Sequence, residues 1–201
     1  MLRKSAFFLL VLFSSMIFAL ETDNSPQTIS TKELVDFESN PPKVKLLIEK
    51  GLQLTQKKLT YRYGSADPSL QGMDCSGTVY YLLAELGLQS VPRSSNNLYD
   101  WIVSKGYFYP VSQGMDHLHP GDLLFWTGTY AAPNNAYVTH VMIYMGKNKA
   151  GEPLMLGASN GRTYKGKKIY GVSVFNFLTP SSSSNDKFIG YGCIPQLSCS
   201  S

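Results

Sequence analysis

Apolar and polar positions follow two regimes along this chain. Glu21 to Asn40 is polar, rich in Ser and Thr, and reads as a linker or loosely attached arm up to Pro41-Pro42. Lys43 to Lys58 then spaces Leu46, Leu47, Ile48, Leu52 and Leu54 among lysines and glutamines, which predicts an amphipathic helix packed on the core. Leu59 to Ser65 is a short extended piece leading to a loop. In the run from Cys75, Val79, Leu82, Leu83 and Leu86 share one helical face, and Gly87 stands where a helix ends. Val91 to Ser95 breaks the pattern and caps a further helix from about Asn96 to Val103.

From Tyr107 onward the runs are short and strand-like: Tyr107 to Val111, Asp122 to Trp126, Thr139 to Met145, Pro153 to Ala158, Ile169 to Phe177 and Phe188 to Ile194. Pro120-Gly121, Pro133-Asn134, Lys149-Ala150-Gly151, Asn160-Gly161 and Gly166 mark turns between them, and Ser181 to Ser184 is a loop. Helices first and strands second imply an α+β domain built on an antiparallel sheet. The length of 201 residues, with 43% apolar and 16% charged residues, fits one globular domain with an N-terminal extension.

That extension has a recognisable form. Met1 to Lys4 is basic, and Ala6 to Leu20 is an apolar run interrupted only by Ser14 and Ser15. The run is short for a bilayer span and has the layout of a secretory signal peptide over residues 1–20, cleaved near Ala19 or Leu20, with an uncleaved anchor as the alternative. The expected location is exported: periplasm, cell envelope or secreted, with no stable membrane insertion after cleavage. Without Arg3 and Lys4 the formal charge falls from +4 to +2, which argues against nucleic acid as a partner.

In an oxidising compartment Cys193 and Cys199 are close enough in sequence to bridge, leaving Cys75 free. Cys75 follows Asp74, a good N-cap residue, at the first turn of its helix. Unpaired N–H groups there favour a thiolate, so Cys75 is a candidate nucleophile; an inert buried cysteine is the alternative. His117 and His119 lie in a loop without further metal ligands, so a solvated loop fits them better than a metal site. His140 opens a strand. A base on a strand set against a cysteine on a helix is a papain-like layout, whereas a strand-end histidine with a structural hydrogen bond is the simpler one.

Five motifs occur in order: Tyr61-Arg62-Tyr63-Gly64, Asp74-Cys75-Ser76-Gly77, Pro92-Arg93-Ser94-Ser95, Pro120-Gly121-Asp122-Leu123 and His140-Val141-Met142-Ile143-Tyr144. Together they resemble the NlpC family of bacterial cell-wall cysteine peptidases, over roughly Leu46 to Ile194. The resemblance implies a papain-like α+β catalytic domain over residues 43–196, with 197–201 as a tail. It also implies an endopeptidase that cleaves peptidoglycan stem peptides between γ-D-glutamate and the diamino acid, without metal or organic cofactor. By the same resemblance, Cys75 is the nucleophile, His140 the base, and Tyr61 the hydroxyl beside the cysteine. Asp74, Ser76, Arg93 and Ser95 fall near the groove that holds substrate.

One departure stands out. The family's third catalytic residue, commonly a histidine before Ala-Ser, aligns with Gly157, which cannot orient an imidazole. Asn160 is the expected substitute and Ser159 the second choice, while Asn160 as a turn residue only is the alternative. The expected arm is also too short for a wall-binding module, so targeting would come from the groove or from a targeting or regulatory partner. Two other functions remain open: an N-acetylmuramoyl-L-alanine amidase, and an inactive wall-binding module.

Overall fold

The computed structural model describes residues 23–132, 135–178 and 185–199. The expected signal peptide, the Pro133-Asn134 turn and the Ser181 to Ser184 loop lie outside these residues. Among the described residues, three α-helices precede most of the sheet: α1 (Pro42–Thr55), α2 (Cys75–Glu85) and α3 (Ser95–Ser104). Between α1 and α2, β1 (Thr60–Tyr61) pairs in parallel with β2 (Gly72–Met73).

The main sheet is antiparallel and contains β3 (Phe108–Pro110), β4 (Leu123–Thr127), β5 (His140–Lys147), β6 (Pro153–Tyr164), β7 (Lys167–Asn176) and β8 (Lys187–Gly192). Its order is β3-β8-β4-β5-β6-β7. The architecture is therefore the α+β class read from the pattern. Each strand sits within a few residues of its expected run except β6, which continues six residues past Ala158, because the apolar alternation is that of half-buried strands.

The core lies between the helices and the centre of the sheet. Val79, Leu82 and Leu83 of α2 are buried, as are Val141 and Ile143 of β5 and Leu154, Leu156 and Ala158 of β6, and α2 packs over both strands. Gly51 lets α1 approach the sheet: a Cβ there would stand 2.9 Å from the Leu156 methyls.

Two expectations change. The polar stretch before Pro41 is not loose where described. Ile29, Leu34 and Phe37 are buried, and backbone bonds from Tyr170 N–H to Asn24 O (3.2 Å) and Val174 N–H to Gln27 O (3.0 Å) tie it to β7. It covers an edge strand whose backbone groups would otherwise lack partners. The hydrophobic anchors are too few to show as a periodic run.

Asn160-Gly161, read as a turn, is a bulge within one long hairpin. Asn160 pairs with Tyr170 and Arg162 with Ile169, leaving Gly161 extra at φ 113°. The chain reverses at Lys165 and Gly166, both with positive φ. Asn-Gly supplies the conformational freedom that a turn and a bulge both need, so the dipeptide alone does not choose between them.

Candidate active site

Cys75 is the first residue of α2. Asp74 caps the helix by accepting from Gly77 N–H at 2.6 Å. The same carboxylate accepts from Gly64 N–H (2.7 Å), from the Ser76 hydroxyl (3.3 Å) and from both terminal nitrogens of Arg93 (3.1 and 3.0 Å). Arg93 also donates to Ser76 Oγ at 3.0 Å. This is a forked guanidinium–carboxylate pair that locks the loop before α2 to the start of α3. Gly77 is required by close approach, since a Cβ there would run into the Ser65 carbonyl oxygen.

Asp74 thus has its acceptor sites occupied by groups of the protein, and it shapes the site from its wall. Ser95, also predicted near the groove, donates to Val138 O at 3.1 Å and holds the segment leading to β5.

Cys75 is a buried free cysteine. Burial, then the Asp74 charge, push its thiol up to about 11, against hydrogen bonds from the backbone N–H groups of Val141, Ser76 and Cys75 itself. The helix start alone favours a thiolate, but the desolvated setting and the capping carboxylate outweigh it. The Val141 contact places the sulfur against the opening residues of β5, next to His140. Burial, then the Arg162 charge, hold the His140 imidazole well below its ordinary 6.5. The resting pair is therefore thiol and neutral imidazole. Tyr61 stays a neutral hydroxyl, because burial and the neighbouring Cys75 and Asp74 raise its pKa.

Two cavities flank the pair. The one of about 250 Å³ is lined by Cys75, Asp74, Ser76, Arg93, Ser94 and Ser95. The other, about 710 Å³, is lined by His140, Thr139, Thr129, Ser159, Asn160 and Arg162. Tyr61, Tyr63 and Tyr130 line both, and the rings of Tyr63 and Tyr130 meet edge-on at 6.0 Å.

The predicted residues thus line two cavities joined by Tyr61, Tyr63 and Tyr130, with Asn160 on the His140 side. The NlpC/P60 family model matches residues 58–171, more than half of the chain and a span that includes both Cys75 and His140. The chain belongs to the NlpC/P60 family. It is 29% identical over 111 residues to the murein DD-endopeptidase MepH of Escherichia coli K12, an alignment covering 52% of this chain and 37% of that protein. A crystal structure described as similar to a lipoprotein of the NLP/P60 family, from Staphylococcus aureus Mu50, aligns at 25% identity with a TM-score of 0.45. That alignment covers 77% of this chain and 45% of the other. The chain accordingly spans less than half the length of either relative.

Within the NlpC/P60 frame, Gly157 has a packing explanation: a Cβ there would stand 2.6 Å from Met142 Sδ. The thioether fills the space into which a histidine would project. Ser159 Oγ accepts from Arg162 N–H at 3.2 Å and stabilises the bulge. Asn160 is exposed. Among the described residues His140 Nε2, though buried, has no hydrogen-bond partner, so neither Asn160 nor Ser159 orients the ring through that atom.

Sequence reasoning missed Arg162, Trp126 and Tyr130. Arg162 lies 4.1 Å over the Trp126 ring, whose own centroid is 5.7 Å from that of His140. The available signal was an arginine inside a run that stays strand-like to Tyr164. His117 stacks on Tyr109 at 4.9 Å, and His119 Nδ1 contacts His117 O at 2.9 Å. Both have local structural partners. Cys193 and Cys199, whose spacing left both a bridge and free thiols open, form a disulfide with Cα atoms 4.9 Å apart.

Proposed function

We propose that this chain is an exported cysteine endopeptidase that hydrolyses peptidoglycan stem peptides between γ-D-glutamate and the diamino acid. The observation that carries the reading is the placement of Cys75 at the head of α2, with its sulfur against the backbone N–H of Val141, the residue that follows His140 in β5. His140 takes the thiol proton as Sγ attacks the scissile carbonyl, since a buried neutral imidazole is a base and not an acid at the outset. The Tyr61 hydroxyl and the backbone N–H groups at the head of α2 are donors for the oxyanion. The imidazolium then gives its proton to the leaving amine, and water, activated by the same ring, hydrolyses the thioester.

Arg93 supports the choice of bond. A γ-linked D-glutamate brings a free α-carboxylate to the acyl side, and Arg93 is the cation lining the cavity that contains Cys75. A second reading, cleavage of D,D cross-links, draws on the likeness to MepH, whose name states that bond.

Mass spectrometry of muropeptides incubated with wild type and Cys75→Ala separates these. Cys75-dependent release of L-Ala–D-Glu supports the proposal. Unlinked but otherwise intact stems point to the D,D bond, and whole stems freed from the sugar point to an amidase. No product from folded, reduced protein overturns hydrolysis and leaves the binding module.

A further inference from the structure

The cavity on the His140 side holds a charge that the proposed hydrolysis leaves unused. Arg162 sits one residue past the Gly161 bulge. Its side chain is 16% exposed, and it pairs loosely with Asp186 of the same cavity, whose carboxylate oxygen is 3.9 Å away, longer than a direct hydrogen bond. Trp126 covers the guanidinium at 4.1 Å. Stacking occupies the face of the ion and leaves its edge N–H groups for a ligand in the guanidinium plane, the geometry in which arginine takes a carboxylate.

Other polar groups meet there. Asn160 lines the same cavity, and so do Thr129 and Thr139, whose hydroxyls are 2.7 Å apart. Burial disfavours the cation and, against the Asp186 and Cys75 charges, brings Arg162 down from 12.5 to about 10, so an entering anion offsets a desolvation that Asp186 offsets only in part.

The direction along the substrate follows from the dyad. The leaving amine must depart on the side of the imidazole that protonates it. His140 lines the larger cavity and Cys75 the smaller.

We propose that Arg162 forms a carboxylate-binding subsite for the leaving fragment of the substrate. This orientation rests on the hydrolase reading, whereas the binding itself does not. Two sources share the chemistry: the second carboxylate of a dicarboxylic diamino acid, and the C-terminal carboxylate of a short stem. A carboxylate seated on Arg162 also offsets the positive charge that disfavours an imidazolium at His140.

Calorimetry on the Cys75→Ala protein tests the subsite without turnover. Three tripeptides serve as probes: L-Ala-γ-D-Glu ending in meso-diaminopimelate with its L-centre amidated, in L-lysine as the free acid, and in L-lysine amide. At least one of the first two should bind roughly tenfold to a hundredfold more tightly than the lysine amide, as expected for one charge-assisted contact. Which of them does so identifies the source. Adding Arg162→Gln should reduce that preference to within about twofold.

If Arg162→Gln does not fold, Arg162→Lys carries the test, because it keeps the charge but loses the planar fork and should lower the preference several-fold. Equal affinities for all three peptides, or a preference unchanged by the Arg162 substitution, overturn the subsite. A protein that cleaves no muropeptide yet discriminates through Arg162 keeps the subsite and loses the hydrolase reading.

Discussion

The two sides of the groove are built differently. Around Cys75 the polar groups are largely engaged within the protein: Asp74 receives five hydrogen bonds, two of them from Arg93, whose remaining edge is exposed to the cavity. Around His140 they are not. The buried His140 Nε2 and Trp126 Nε1 lack partners among the described residues, and Asn160 is exposed to the cavity. A saturated network fixes the nucleophile before substrate arrives, whereas a cavity with spare polar groups depends on what enters it. On the proposed hydrolysis, the difference separates a rigid acyl side from a leaving side that the substrate completes.

The comparison breaks first at the dyad. Cys75→Ala should abolish turnover with the fold intact by circular dichroism, and His140→Ala should lower kcat by roughly a hundredfold to ten-thousandfold. Comparable residual rates in either variant would mean that the geometry around Cys75 and His140 is not catalytic.

The rigid side is tested next, through stability. Arg93→Met strips a buried carboxylate of its fork. Because Arg93 is 37% exposed, the expected loss is about 1–2 kcal/mol in denaturant unfolding, below that of a fully buried pair. An unchanged midpoint would show that Asp74 is held without Arg93.

On the open side, Asn160→Ala should lower kcat by less than about tenfold, in keeping with an exposed amide that does not hold Nε2. A loss as large as that of His140→Ala would make Asn160 the orienting residue after all.

The smallest effect lies outside both regions, at Asp122. Burial raises its carboxyl from 3.8 to about 7, against hydrogen bonds from His119 and Ser198. The folded chain therefore keeps a proton that the unfolded chain releases. This contribution to stability is complete below about 3.8 and is lost as pH rises to about 7. Asp122→Asn should raise the melting temperature at pH 8 more than at pH 4, and equal shifts would contradict the assignment.

The same contrast decides what was legible in the sequence. The Cys75 side is local: Asp74, Cys75, Ser76 and Gly77 are contiguous, and cap, nucleophile and close-approach glycine can be read from one helix start. Helices and strands followed from apolar periodicity for the same reason. The His140 side is assembled at long range. Arg162 reaches Trp126 only because Gly161 forms a bulge, and Asn160-Gly161 suits a turn equally well. Gly157 is explained by Met142 on another strand, which no local pattern encodes. The arm before Pro41 was hard to read because three apolar residues among polar ones do not show which edge they cover. Local composition also suggested a thiolate at Cys75, since a helix start is visible in sequence and burial is not.

The account's central claim is that Cys75 and His140 wait as a neutral pair. The pH dependence of Cys75 alkylation by iodoacetamide, followed by intact-protein mass spectrometry, tests it most directly. With the thiol near 11, the account predicts a rate that climbs steadily from pH 6 to pH 10 without an acidic plateau. A fast, pH-independent rate from pH 5 upward would reveal a preformed thiolate–imidazolium pair and contradict it.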